Sequence, residues 1–152
     1  MNDKLTKFLA SGFGAGLSPY APGTAGTAVG VLLCLPFIGV PWAARLFFVI
    51  ALLAVSISIA GRAEKIYEKK DDQRIVIDEI IGLQIAVLPA AINVLNLCFA
   101  FVLFRIFDIW KPFPVKNLQE LPGGWGVVMD DVAAGIYAGV VLWLLTFWRI
   151  IT

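Results

Sequence analysis

Arg105-Ile-Phe-Asp108-Ile-Trp-Lys111-Pro-Phe-Pro114 closes a long apolar run, Ile92 to Phe104. Read as helix, it puts Arg105 and Asp108 three residues apart on one face, and Asp108 and Lys111 at the same spacing. Pro112 and Pro114 then stop the helix, so Lys111 stands at its C-terminal end. Charges beside so oily a segment are costly, and such residues are functional candidates. A plainer reading also fits: Arg and Lys snorkel to headgroups and Trp110 anchors the interface.

Working outward, the whole chain has the same character. Of 152 residues, 60% are hydrophobic and 15% charged, and the mean hydropathy is +0.87. An ordinary soluble domain is about 45–50% apolar. The expectation is a single all-α domain over residues 1–152, a compact helical integral membrane protein with about four to five apolar helices, some short or kinked. No basic tract points to nucleic acid. There is no histidine, so acid–base or metal chemistry falls to carboxylates, Lys, Tyr or water. Cys34 and Cys98 lie in apolar segments and read as small core residues rather than a disulfide. No long apolar core follows Lys4 and Lys7, so no cleaved signal peptide is expected.

Residues 1–10 read as a short, positively charged helix or arm. Gly12 to Thr27 is rich in Gly and Pro and reads as a loop, or a loop entering a helix. Such a loop can cradle phosphate: its glycines let backbone N–H groups approach an anion, and Thr24 or Thr27 can cap the following helix. Gly14, Ser18, Thr24 and Thr27 are the expected phosphate-binding positions. No Gly-Lys-Ser/Thr follows, which excludes a Walker A loop. A tight connector between helices is the alternative. Apolar stretches follow at Ala28 to Val40, broken by Pro36, and at Trp42 to Ala60, long enough to cross a core of about 30 Å. Arg62 to Arg74 mixes both charge signs and reads as a helix end and loop in water. Residues 112 to 126 read as a Pro/Gly-rich loop, and Met129-Asp130-Asp131 as the opening of a last apolar helix, Val132 to Trp148.

Asp78-Glu79 opens another apolar segment, which Pro89 interrupts. Residues 80 to 104 are too few for two full spans of about 20 residues. The positive-inside rule puts Lys4, Lys7, the cations of residues 62 to 74, Arg105, Lys111 and Lys116 in the cytoplasm, provided residues 76 to 110 form a hairpin. The glycine-rich loop, both acid pairs and the Arg105/Asp108/Lys111 group then share one face. Asp78 is followed at four-residue intervals by Gly82 and Ala86, and Asp131 by Gly135 and Gly139. Small residues so spaced let helices pack closely, which would bring the acids together. Converged carboxylates without His or thiolate form a hard-oxygen site suited to Mg²⁺ and substrate phosphate. Arg105 and Lys111 supply cations for phosphoryl oxygens. Acids, cations and backbone donors together are what phosphoryl transfer needs. Singly, Asp78 or Asp130 also fits a helix N-cap, and Asp108 a mere ion-pair partner.

Four stretches resemble the phosphatidylglycerophosphatase A family: Gly12 to Thr27, Ile77-Asp-Glu-Ile-Ile-Gly82, Phe104 to Pro114, and Gly123-Gly-Trp-Gly-Val-Val-Met-Asp-Asp-Val-Ala-Ala-Gly135. They occur in the family's order and cover most of the chain. The resemblance implies a Mg²⁺-dependent phosphatase of the bacterial inner membrane that converts phosphatidylglycerol phosphate to phosphatidylglycerol; with the charge pattern, the expected setting is multi-pass with the site on the cytoplasmic face. The resemblance also implies that Asp78, Glu79, Asp108, Asp130 and Asp131 are catalytic and metal-binding, and that Arg105 and Lys111 bind phosphate. The chain departs from some members before Asp78, where Lys69 to Arg74 contains no histidine. Acyl chains would rest against the apolar helices while water attacks phosphorus, directly or through an aspartyl-phosphate. The rival readings are a membrane cation or proton carrier using the acids as a relay, and a non-catalytic lipid-binding subunit.

Overall fold

The computed structural model describes residues 2–151. It is all-helical, with no strand among the described residues. Helix α1 spans Asp3–Ala10, capped by the Asn2 side chain, which accepts from Lys4 N. Helix α2 (Pro22–Cys34) begins on Pro22, whose fixed φ and missing N–H suit the first helical turn. It therefore starts inside the stretch expected to be loop. Thr24 and Thr27 lie within α2, so neither caps it; the cap position is Ala21, with no side-chain bond. Pro36 breaks the helix into a 3₁₀ turn, Leu35–Phe37.

Helix α3 (Trp42–Tyr67) runs on through the first charged residues and ends at Glu68. Helix α4 spans Ile77–Val87, and α5 spans Val94–Trp110, capped by Asn93. A one-turn helix, α6 (Val115–Leu118), interrupts the expected Pro/Gly loop. Helix α7 spans Gly124–Phe147.

The start of α7 corrects the sequence reading. Asp130 and Asp131 do not open the helix; they lie about 10 Å inside it at 1.5 Å per residue. Gly123-Gly-Trp-Gly126 reads locally as loop, but Gly124 and Gly126 are helical contact points. A Cβ on Gly124 would strike the Ile57 carbonyl and Gly61 N; one on Gly126 would strike the Leu121 carbonyl. Neighbouring backbone, rather than propensity, sets this helix start.

Helix α4 is the hub. Nearly all its residues are buried, and it packs against α2, α3, α5 and α7. At about 16 Å it is too short to cross a bilayer. Residues 76 to 110 form a hairpin: Glu79 at the start of α4 meets Arg105 near the end of α5. The small-residue faces of α4 and α7 do meet. A Cβ on Gly135 would strike the Gly82 carbonyl, and one on Gly139 would lie 3.3 Å from Ala86 O. Gln84 Nε2 donates to Gly30 O at 2.7 Å, pinning α4 to α2 inside the core.

Among the described residues, α3 and α7 are long and apolar enough to cross a membrane. Large apolar side chains are exposed on α3, α5 and α7, among them Phe47, Ile50, Val102, Ile109 and Phe147. The tryptophans, all exposed, divide between the two ends: Trp110 and Trp125 at the acid end, Trp42, Trp143 and Trp148 at the other. Cys34 is buried as expected, but Cys98 is exposed on α5, so it is not a core residue; both are free thiols.

Candidate active site

The three helices that carry the acids place them at one end of the bundle. Asp78 and Glu79 lie in the first turn of α4, where carboxylates favour the helix dipole. Asp78 is not an N-cap, since the cap residue is Val76 and no side chain bonds there. Asp131 comes from α7, close by because Gly82 lets the chains meet. A Cβ on Gly82 would strike Phe104 and lie 2.9 Å from Asp131 O. Ligand oxygens of Asp78, Glu79 and Asp131 all lie within 4.8 Å of one another.

These carboxylates are poorly satisfied from within. Asp78 Oδ1, Glu79 Oε2 and Asp131 Oδ2 are buried without a hydrogen-bond partner. Three acids so close repel one another, and buried unpaired oxygens are costly. A cation relieves both. The donor set is all oxygen, with no His or Cys, which fits a hard divalent ion such as Mg²⁺.

Two further acids hold the cations. Arg105 Nη1 bonds Asp108 Oδ2 at 2.6 Å and lies 3.8 Å from Glu79 Oε1. The pairing with Asp108 is the one the i,i+3 spacing predicts. Lys111 does not pair with Asp108. It takes the left-handed C-cap position of α5 and reaches Asp130 Oδ2 at 2.6 Å. Asp130 Oδ1 also accepts from Asp131 N at 3.0 Å, which fixes the two α7 acids relative to each other. Asp108 faces Asp131 closely enough to interact with it. The five predicted acids thus divide, with three around a common centre and two orienting the flanking cations.

The glycine-rich stretch divides as well. Gly14 N donates to Ser11 O and Oγ, in a turn whose Gly12 and Gly16 pack against Val76 and the Arg74 carbonyl. Neither Gly14 nor Ser18 hydrogen-bonds an acid or Arg105 among the described residues. Thr27 is fully buried and its hydroxyl donates to Gly23 O at 2.8 Å, so it is spent inside α2 and is not a phosphate ligand. Thr24 is exposed in the first turn of α2. The residue that sequence reasoning missed is Gly23. A Cβ there would collide with Glu79 Oε1 and lie 2.9 Å from Arg105 Nη1. The first-turn N–H groups of Gly23 and Thr24, which lack helical acceptors, therefore stand beside the acid–arginine pair. The signal was Pro22-Gly23: a helix-starting proline followed by a residue without a side chain.

The arrangement offers buried carboxylates for a metal, two oriented cations and a helix N-terminus, a set suited to a phosphoryl group. Residues 8–146 match the family model described as phosphatidylglycerophosphatase A. A curated relative from Haemophilus influenzae, named phosphatidylglycerophosphatase A, is 38% identical over 93% of this chain and 89% of its own length. One of that name from Escherichia coli is 33% identical over 90% of this chain and 81% of its own. A third, from Bacteroides thetaiotaomicron, described as a candidate phosphatidylinositol-3-phosphatase, is 37% identical over 91% of each. No solved structure matches the chain.

Proposed function

The chain belongs to the phosphatidylglycerophosphatase A family, and on that premise we propose that it is a Mg²⁺-dependent membrane phosphatase hydrolysing phosphatidylglycerol phosphate to phosphatidylglycerol and inorganic phosphate. The observation that carries the reading is the trio of clustered carboxylates, each with one buried oxygen that no hydrogen bond reaches, beside two oriented cations. Asp78, Glu79 and Asp131 would hold the ion. When bound, Mg²⁺ supplies Lewis-acid neutralisation of phosphoryl charge.

The chain's own side chains account for the rest. Arg105 and Lys111 bind non-bridging phosphoryl oxygens, with Asp108 and Asp130 fixing their orientation. The Gly23 and Thr24 amides add donors from the α2 N-terminus. A carboxylate of the site orients the attacking water and takes its proton. The new P–O bond forms as the bond to the glycerol oxygen breaks, with one water consumed. An open apolar face of α5 flanks Arg105, formed by Phe101, Val102, Ile106, Ile109 and Trp110. It gives acyl chains a place beside the phosphate-binding arginine.

The membrane setting is part of the proposal. Trp125 and Trp143 lie on one helix about 27 Å apart at 1.5 Å per residue. That separation suits tryptophan belts on either side of a hydrocarbon core of about 30 Å. Lys4, Lys7, Lys65, Lys69, Lys70 and Lys116 gather at the acid end, which favours a cytoplasmic site in the bacterial inner membrane. The test is phosphate release by purified protein from phosphatidylglycerol phosphate, with phosphatidylinositol-3-phosphate and glycerol phosphate alongside. Release from the first should be fastest and abolished by chelator. Undiminished release in chelator, or full activity in Asp108→Asn, would sink the scheme.

A further inference from the structure

At the end of the bundle away from the acids, a lateral groove of about 630 Å³ opens between α3, α4 and α7. Its walls are largely apolar: Ile85, Leu88, Ile136 and Val140, with Trp42 and Trp143 at the rim. One cation lines it, Arg45. Arg45 Nη1 donates to Ala90 O at 2.8 Å, while Nε is buried with no partner. No ion pair to Arg45 is found among the described residues. None is to be expected, because every Asp and Glu lies at residue 3, between 64 and 79, or between 108 and 131, all in segments at the acid end. The length of α4, about 16 Å, separates the two ends.

A part-buried guanidinium without a counter-charge, set in an apolar groove flanked by two tryptophans, lacks an anion. We propose that this groove binds an anionic membrane glycerophospholipid, its phosphate on Arg45 and an acyl chain along Ile85, Leu88, Ile136 and Val140. The inference rests on the membrane setting proposed above. The headgroup lies in the leaflet opposite the acids, so this lipid is not the substrate, whose phosphate must reach Arg105. Bound there, it bridges α3, α4 and α7 and steadies the helix that carries Asp78 and Glu79.

The test uses the full chain purified in a neutral detergent, with lipid retention read by native mass spectrometry. Phosphatidylserine is the anionic probe, since it is neither substrate nor product of the proposed reaction; phosphatidylcholine is the neutral one. The wild type should keep one phosphatidylserine and little phosphatidylcholine. Arg45→Gln, which removes the charge and leaves a shorter polar side chain, should lose phosphatidylserine at least tenfold. Ile136→Trp narrows the apolar part of the groove while keeping the Arg45 charge, and should lose it too. Equal retention of both lipids, or undiminished phosphatidylserine in both variants, would overturn the proposal. Phosphate release measured on the same preparations separates the two claims, because lipid retention does not depend on hydrolysis.

Discussion

Replacing Gly23 with alanine tests the site without disturbing the core. The added Cβ would lie 2.9 Å from Arg105 Nη1 and 3.2 Å from Nη2, and would collide with Glu79 Oε1. An ordinary contact begins near 3.4 Å, so the guanidinium must withdraw by about half an ångström. These are the mobile ends of side chains, so the backbone has no need to shift. Misplacing a catalytic group by 1 Å costs about 10²-fold. Glu79 Oε1, the atom the Cβ strikes first, must withdraw by about 1 Å, so the loss is about 10²-fold, or ~2.7 kcal/mol of barrier. Stability should hold or rise, since alanine in a helix is favoured over glycine by up to ~1 kcal/mol. The assay pairs initial rates of phosphate release with thermal denaturation in the same detergent. A wild-type rate would refute the placement of Gly23 at the site. A rate loss matched by a fall in Tm would show that the glycine serves packing instead.

Gly135→Ala should behave in the opposite way, because its Cβ meets backbone, the Gly82 carbonyl group. Overpacking of this kind costs about 1–3 kcal/mol, whereas Gly139→Ala, with 3.3 Å to its nearest atom, should cost less; denaturation curves that rank the two equally would count against the α4–α7 seam. Lys111→Met leaves Asp130, 4% exposed in its side chain, without its cation. The expected loss is about 1.5–3 kcal/mol, partly recovered by Lys111→Arg, and an unchanged unfolding midpoint would contradict the pairing. In the loop before α4, hydrogen bonds from the Arg74 side chain hold the Asp72 carboxyl below its usual range. That bond's stability is fully present above the unfolded carboxylate value of about 3.9 and fades as pH falls through the lowered one. Asp72→Asn should therefore narrow its stability gap to wild type in acid and show it fully at neutral pH.

What the chain's pattern made legible was local or periodic. The Arg105–Asp108 pair follows from three-residue spacing on one helix, and the α4–α7 contact from small residues at every fourth position. With those two, the gathering of Asp78, Asp108 and Asp131 could be anticipated. Choices made by distant backbone were not legible. Lys111 prefers Asp130, nineteen residues on, to the nearer Asp108, because the helix ends beneath it in a left-handed turn. Gly123 to Gly126 carries loop composition, yet α7 starts there because α3 comes close enough to exclude side chains. Thr27 looked like a phosphate ligand, but its hydroxyl returns to its own helix. Cys98 sits in an apolar stretch, and nothing local says that its face of α5 is outward.

The central claim is that Asp78, Glu79 and Asp131 hold a divalent cation at the phosphate site, and direct metal binding tests it most closely. Mn²⁺ titrated into the metal-stripped protein, followed by electron paramagnetic resonance, should reveal a saturable site that Mg²⁺ competes for. Asp131→Asn should weaken that site at least tenfold while the helical circular dichroism is retained. A wild-type protein that binds no Mn²⁺, or an Asp131→Asn variant that binds it as tightly, would contradict the account.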